Sequence, residues 1–98
     1  MENLTNWCVY MHEHRENGRL FFGATDHKPT NAWQNGEGYK DSPRFYRAIK
    51  ADGWDAFRHE ILYTNLTQAE ATRLVAKLVR KYSTRDPARG YNEAGGQG

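Results

Sequence analysis

Residues 7–23, WCVYMHEHRENGRLFFG, decide the fold class of this chain. Two apolar and aromatic runs, residues 7–11 and 20–22, flank the dipeptide Asn17-Gly18, which accepts the positive φ angles of a tight turn between antiparallel strands. The first run is nearly continuous in apolar residues, so we expect its strand to be covered on both faces. The stretch therefore predicts a β-hairpin.

Two helices and a third strand are predicted after the hairpin. Residues 26–35 predict a short helix, with Pro29 in its first turn and Trp33 as its buried anchor. Ser42-Pro43 has the form of a cap followed by a first helical residue, and Gly53 ends this second helix. Residues 57–62 alternate in the manner of a strand.

The longest predicted element begins at Thr67. Thr67 and Glu70 have capping-box spacing, and apolar residues then recur at helical intervals until Pro87 and Gly90 end the helix. The order β-β-α-α-β-α predicts a single α+β domain over residues 1–98, with a three-stranded antiparallel sheet flanked by helices. Its core is expected at about 7–92, and residues 93–98 form a glycine-rich tail.

Composition restricts the class of protein. A chain of 98 residues suits one domain, and three Trp, six Tyr and four Phe favour an aromatic core. The net charge of +2 does not by itself indicate nucleic acid. Cys8 is the single cysteine, so no disulfide can form within the chain. No apolar run is long enough for a membrane span, and residues 1–6 lack a signal-peptide pattern, so we expect a cytoplasmic protein without a membrane partner.

The hairpin and the segments after it resemble the GIY-YIG endonuclease superfamily, especially its short phage and bacterial forms. The hairpin contributes a tyrosine-bearing first strand, an Asn-Gly turn and a second strand that ends in aromatic-x-Gly. The later matching segments, in chain order, are Gly23-Ala24-Thr25, Pro29 to Trp33, Asn35-Gly36-Glu37-Gly38-Tyr39, Phe45-Tyr46-Arg47-Ala48-Ile49, Gly53-Trp54-Asp55, His59-Glu60-Ile61-Leu62, Leu66-Thr67 and Gly90-Tyr91-Asn92. The resemblance spans nearly the whole chain.

Five positions carry the family's chemistry, and this chain keeps two of them. Tyr10 stands at the first-strand tyrosine and Asn92 at the late asparagine. Phe21 replaces the second tyrosine, Ala32 replaces the arginine before the tryptophan, and Val75 occupies the place of the metal-binding glutamate. The resemblance thus implies a degenerate member of the family.

The replacements remove the groups that phosphodiester cleavage needs. Mg²⁺ takes oxygen ligands, and Val75 offers none. A guanidinium holds phosphate through paired N–H donors, which Ala32 lacks, and Phe21 has no hydroxyl to orient water. Each loss is expected to cost about two to four orders of magnitude in rate. We therefore expect no catalytic residues, no metal and no cofactor.

Other carboxylates and a zinc site are the alternatives. Glu70 lies about 140° around a helix from Val75 and is explained as a capping partner; Glu60 and Asp55 remain open. His12 and His14 share a strand face and, with Cys8 or His59, suggest zinc. The favoured interpretation is that both histidines are polar residues at the exposed end of the hairpin.

Basic residues suggest a binding surface. The candidate residues for binding nucleic acid or another partner are Arg44, Arg47, Lys50, Arg73, Lys77, Arg80 and Lys81. They lie on the second and last predicted helices, and they form either a surface that tracks phosphates or ordinary solvated helix faces.

Three functions remain open at this point. The preferred hypothesis is a binding module without catalytic activity, which binds nucleic acid or inhibits a bacterial nucleic-acid-processing or defence enzyme as phage proteins do. The second is a Mg²⁺-dependent endonuclease that works through Tyr10, Asn92 and another carboxylate. The third is a structural assembly protein.

Overall fold

A computed structural model describes residues 4–93 of the chain. The elements are β1 (Trp7–His14), β2 (Leu20–Thr25), α1 (Pro29–Trp33), α2 (Pro43–Asp52), β3 (Phe57–Leu66) and α3 (Gln68–Tyr82), with short 3₁₀ helices at Gln34–Tyr39 and Trp54–Ala56. This order confirms the predicted α+β fold. Residues 94–98, most of the predicted tail, lie outside the described part.

The sheet is antiparallel, with strand order β2-β1-β3, so β1 lies in the centre. Side chains of β1 point alternately to the two faces of the sheet. The adjacent residues Val9 and Tyr10 therefore enter separate cores, one on each face. Both are buried, which confirms that the first strand is covered on both sides.

Each face of the sheet is covered by different helices. On one face, Phe45 and Ile49 of α2 pack with Tyr10, Phe21 and other aromatic residues. On the opposite face, α3 packs against Val9 and Phe22; its buried residues are Ala71, Val75 and Val79. The two faces therefore carry separate surfaces, and α2 and α3 lie on opposite sides of the molecule.

Helix boundaries differ from the sequence-based ones where local geometry intervenes. α1 has only five residues, because Gln34 and Asn35 take left-handed φ angles of 48° and 53° and turn the chain into the 3₁₀ segment. α3 ends at Tyr82, before Pro87, because Ser83 is left-handed and closes the helix. The Thr67–Glu70 capping box is present as predicted.

β3 is longer than predicted and extends to Leu66. It accommodates the extra residues through an irregular register opposite Val9 and Tyr10. Phe45 and Phe57 are fully buried and belong to the aromatic core. Trp33 is only partly buried, contrary to its predicted role as a buried anchor, because short α1 places it at the edge of the aromatic core.

The segment after α3 returns along the free edge of β2. The Tyr91 amide donates to the Leu20 carbonyl at 2.9 Å, and the Leu20 amide donates to the Arg89 carbonyl at 3.2 Å. A Cβ at Gly90 would lie 2.5 Å from the Leu20 oxygen, so the close approach requires glycine there. This edge of the sheet is thereby covered.

Candidate functional site

A chain of buried polar side chains crosses the aromatic core. His12 Nδ1 lies 2.9 Å from His59 Nδ1, and His12 Nε2 lies 2.6 Å from the Tyr39 hydroxyl. Tyr10 packs beside this pair, with its ring centroid 5.3 Å from that of His12. Two proton arrangements satisfy both contacts: either His59 donates to His12 and His12 donates to Tyr39, or Tyr39 donates to His12 and His12 donates to His59. We call His59, His12 and Tyr39 the His–Tyr chain.

Aromatic rings surround His12. It is fully buried, and rings from several elements approach its imidazole within 4.9–6.1 Å, namely Tyr10, Phe21, Trp33, Tyr39, Phe45 and Trp54. Burial holds the pKa of His12 well below its usual value, and the neighbouring His59 lowers it further. Burial also lowers the pKa of His59. Both imidazoles are therefore neutral at pH 7.

His14 is the second buried histidine, and its two ring nitrogens are both engaged. Nε2 lies 2.9 Å from an Asp52 carboxylate oxygen, while Nδ1 accepts from the amides of Glu16 and Asn17. The expectation that His12 and His14 sit at an exposed strand end is therefore wrong. They are buried because β1 is the central strand and both histidines lie on the same face as Tyr10.

Tyr10, the family-position tyrosine, is 5% exposed. Burial raises its pKa above that of an ordinary tyrosine. Its ring packs against the backbone of β2, where a Cβ at Gly23 would lie 2.7 Å from the Tyr10 hydroxyl. The hydroxyl is thus enclosed by the protein.

Phe21 and Ala32 lie on the same side of the sheet as Tyr10. Phe21 is fully buried and stacks on Phe45 with ring centroids 4.5 Å apart. Ala32 is partly buried, and its carbonyl lies against Gly38 so closely that a side chain there would collide with it. At Phe21, the space that a polar residue and its partners would need is occupied by packing.

Val75 lies on the other face of the sheet. It is 3% exposed and packs in the core that contains Val9 and Phe22. The position that the sequence comparison assigns to a metal ligand therefore faces away from Tyr10. Within residues 4–93, no three His, Cys, Asp or Glu side chains are grouped so that they could hold a metal ion.

Asn92 fastens the returning segment to β2. Its side-chain oxygen accepts from the Phe22 amide at 2.9 Å and from the Thr84 hydroxyl at 2.9 Å, and its amide nitrogen donates to the Phe22 carbonyl at 2.9 Å. Asn92 and Thr84 are fully buried. The Asn92 side chain thus hydrogen-bonds to the backbone of β2 as a neighbouring strand would.

No protein-family model, curated protein or solved structure matches this chain. The functional proposal therefore rests on the residues at the surface of the described structure. Within residues 4–93, no helix has the length and apolar content that a bilayer crossing requires.

The basic residues of α2 are partly committed to the fold. The Arg44 guanidinium donates to the carbonyls of Arg85 and Asn92, at 2.8 and 3.0 Å, and so holds the returning segment. Lys50 donates to Glu37 at 2.7 Å. Arg47 is exposed. Because α2 and α3 lie on opposite faces, these residues form no single surface with those of α3.

The basic residues of α3 point outward together. At about 100° per residue, Arg73, Lys77 and Arg80 fall within about 60° around the helix axis, and all three are exposed. We call these three residues the α3 basic stripe. Lys81 lies further round the helix, with its ammonium 5.4 Å from the Tyr82 ring centroid.

Shallow grooves run along both flanks of the stripe. A groove of about 590 Å³ beside Leu66 and Leu74 is bordered by all three basic residues. A second, of about 360 Å³, separates Arg80 from Ser83 and Arg85 in the following loop. The adjoining row of α3 is small, with Ala69, Thr72 and Ala76. α3 therefore stands out as a basic ridge.

The His–Tyr chain is not among the predictions made from sequence. His12 and His14 are predicted to share a strand face, and His59 enters only as a neighbour for a zinc site. The available signal was that the same alternation also places Tyr10 on that face. Two-residue periodicity on a central strand predicts burial for all three residues.

Proposed function

We propose that this chain is a non-catalytic binding module of GIY-YIG-like architecture, which binds the phosphate backbone of nucleic acid through the α3 basic stripe. The observation that best supports this proposal is that Arg73, Lys77 and Arg80 lie on one exposed face of α3. Phosphate groups of nucleic acid are bound by exposed cations, which exchange contacts with water for contacts with the nucleic-acid backbone. A row of such cations on a ridge provides these contacts.

The state of the family-position residues supports a role without cleavage. Tyr10 is enclosed, Asn92 fastens the sheet edge, and Val75 lies in the opposite core. Cleavage requires a nucleophile, a metal or base, and charge stabilisation around one phosphate. Tyr10, Asn92 and Val75 instead stabilise the fold, each in a different part of the structure.

The test is the binding of labelled 20-nucleotide DNA and RNA, single-stranded and duplex, at 50 and 200 mM salt with Mg²⁺. Three phosphate contacts predict a logarithmic salt slope of about −2.7, or a loss of about 40-fold in affinity over that range. The variant R73A/K77A/R80A should abolish most of this binding.

A matched control removes the same charge elsewhere. The variant K28A/K40A/R47A also loses three exposed cations, but on the α1 and α2 side of the molecule. It should bind nearly as the parent does. Equal losses in both variants would contradict a specific role of α3.

The same samples on a denaturing gel test the alternative function. Substrate that is cut, with the cutting lost on chelation, would favour a Mg²⁺-dependent endonuclease. No binding at either salt would direct the search to protein partners, including the phage-type inhibition of a bacterial nucleic-acid-processing enzyme.

A further inference from the structure

We propose that the α3 ridge lies in the major groove of duplex DNA, where Arg73 and Arg80 each read a guanine. This inference rests on the proposed function and deepens it by naming the form of nucleic acid and the bases. It depends on the shape of α3, on which residues lie outermost, and on the distance between the two arginines.

The shape of α3 suits a groove. An α-helix with its side chains is about 10–12 Å across, and the major groove of B-form DNA is about 12 Å wide. The grooves beside Leu66 and beside Ser83 separate α3 from neighbouring parts of the protein. The row of Ala69, Thr72 and Ala76 adds little width to one flank. One carboxylate lines each groove, Glu70 beside Leu66 and Asp86 beside Ser83, and Glu70 is held by the capping box. A DNA backbone can therefore approach the outer face of the helix, where the three cations lie.

The composition of the ridge favours duplex over single strands. Single-stranded nucleic acid is usually held by aromatic side chains on which bases stack. The one aromatic residue of α3 is Tyr82, its last residue, which lies about 180° around the helix from Arg73 and so faces away from the stripe. The cations Arg73, Lys77 and Arg80 supply donors instead, and Glu70 is occupied by the capping box at the helix start.

The spacing of the arginines matches the base-pair repeat. Arg73 and Arg80 are seven residues apart and lie about 20° from each other around the axis, so they share one line along the helix. Their separation along that line is about 10.5 Å, close to three base-pair steps of about 3.4 Å. Arginine donates two parallel hydrogen bonds to O6 and N7 of guanine, which is the commonest specific base contact. Lys77, between them, contacts a phosphate. On duplexes without the paired guanines, the two arginines contact phosphates as well, which gives the three contacts and the salt slope of non-specific binding.

The experiment selects ligands from a pool of randomised 20-base-pair DNA duplexes with the full chain at 100 mM salt. We expect enrichment of two guanines separated by two other base pairs. The selected duplex should bind at least about 10-fold more tightly than the same sequence with either guanine changed, and more tightly than its single strands.

The variant R73K/R80K separates base reading from charge. Lysine keeps the positive charge but replaces the rigid planar fork of arginine with a flexible ammonium, so the variant should retain the salt slope and weaken the guanine preference. Circular dichroism of this conservative surface variant checks that α3 is intact.

The outcomes distinguish the two proposals. Absence of any salt-dependent nucleic-acid binding would overturn the proposed function and this inference together. Binding through the stripe that shows no preference for duplex, or that is the same for R73K/R80K on every sequence, would overturn only the inference. The stripe would then track phosphates alone.

Discussion

His12 and His59 face each other through their Nδ1 atoms, 2.9 Å apart, although 47 positions separate them in the chain. Two such nitrogens share a hydrogen bond only while one of them lacks a proton. With both rings protonated, each would present an N–H to the other. The contact between β1 and β3 in the aromatic core is therefore sensitive to acid.

Acid should destabilise the fold. The folded-state pKa of His12 lies well below 6.5, so below about pH 6.5 the unfolded chain binds more protons than the folded one. Stability is then present above about pH 6.5 and is lost as the pH falls. At pH 5, His12 alone would account for a loss of up to about 2 kcal/mol, or roughly 10 °C in Tm. Thermal unfolding at pH 7.5 and pH 5 measures it.

The control for this prediction is His27, whose side chain is 77% exposed. The variant H27Q should keep the acid sensitivity of the parent. Two charged side chains lie near His59. Arg15 lowers the pKa of His59, and Asp55 raises it. A Tm that stays constant between pH 7.5 and 5 would show that the buried pair does not resist protonation.

Asn92→Ala should destabilise the protein by about 2–4 kcal/mol, because it leaves the buried amide and carbonyl of Phe22 and the Thr84 hydroxyl without a shared partner. Urea unfolding measures the change. Asn31→Ala, at an exposed position of α1, is the matched control and should change stability by less than about 0.5 kcal/mol. Similar small effects for both variants would contradict the fastening role of Asn92.

Introducing the GIY-YIG residues at positions 21, 32 and 75 should not create cleavage activity. In F21Y/A32R/V75E, the new carboxylate would enter the apolar core beside Val9 and Phe22, away from Tyr10. V75E alone should cost about 3–5 kcal/mol in urea unfolding, since it buries an unpaired charge. A76E, the same change at the next, exposed residue, should cost less than about 1 kcal/mol. Mg²⁺-dependent cutting by a folded triple variant would refute this arrangement.

Local signals determined much of the fold. The turn at Asn17-Gly18, the proline at the start of α2 and the capping box at Thr67 act within a few residues, so their consequences can be worked out from the chain. The element order and the antiparallel sheet followed from them. The end of α1 did not, because it depends on left-handed angles at Gln34 and Asn35, which their residue types tolerate without requiring.

Only the tertiary structure decided what the candidate residues do. The sequence indicated seven basic residues as candidates for a binding surface. The central sheet places them on two opposite faces, and Arg44 and Lys50 form hydrogen bonds within the fold. The sequence determined which residues share a strand face or a helix face, because periodicity is local. Burial of His12 and its contact with His59 depend on which strand becomes central, and that is settled by packing between residues far apart in the chain.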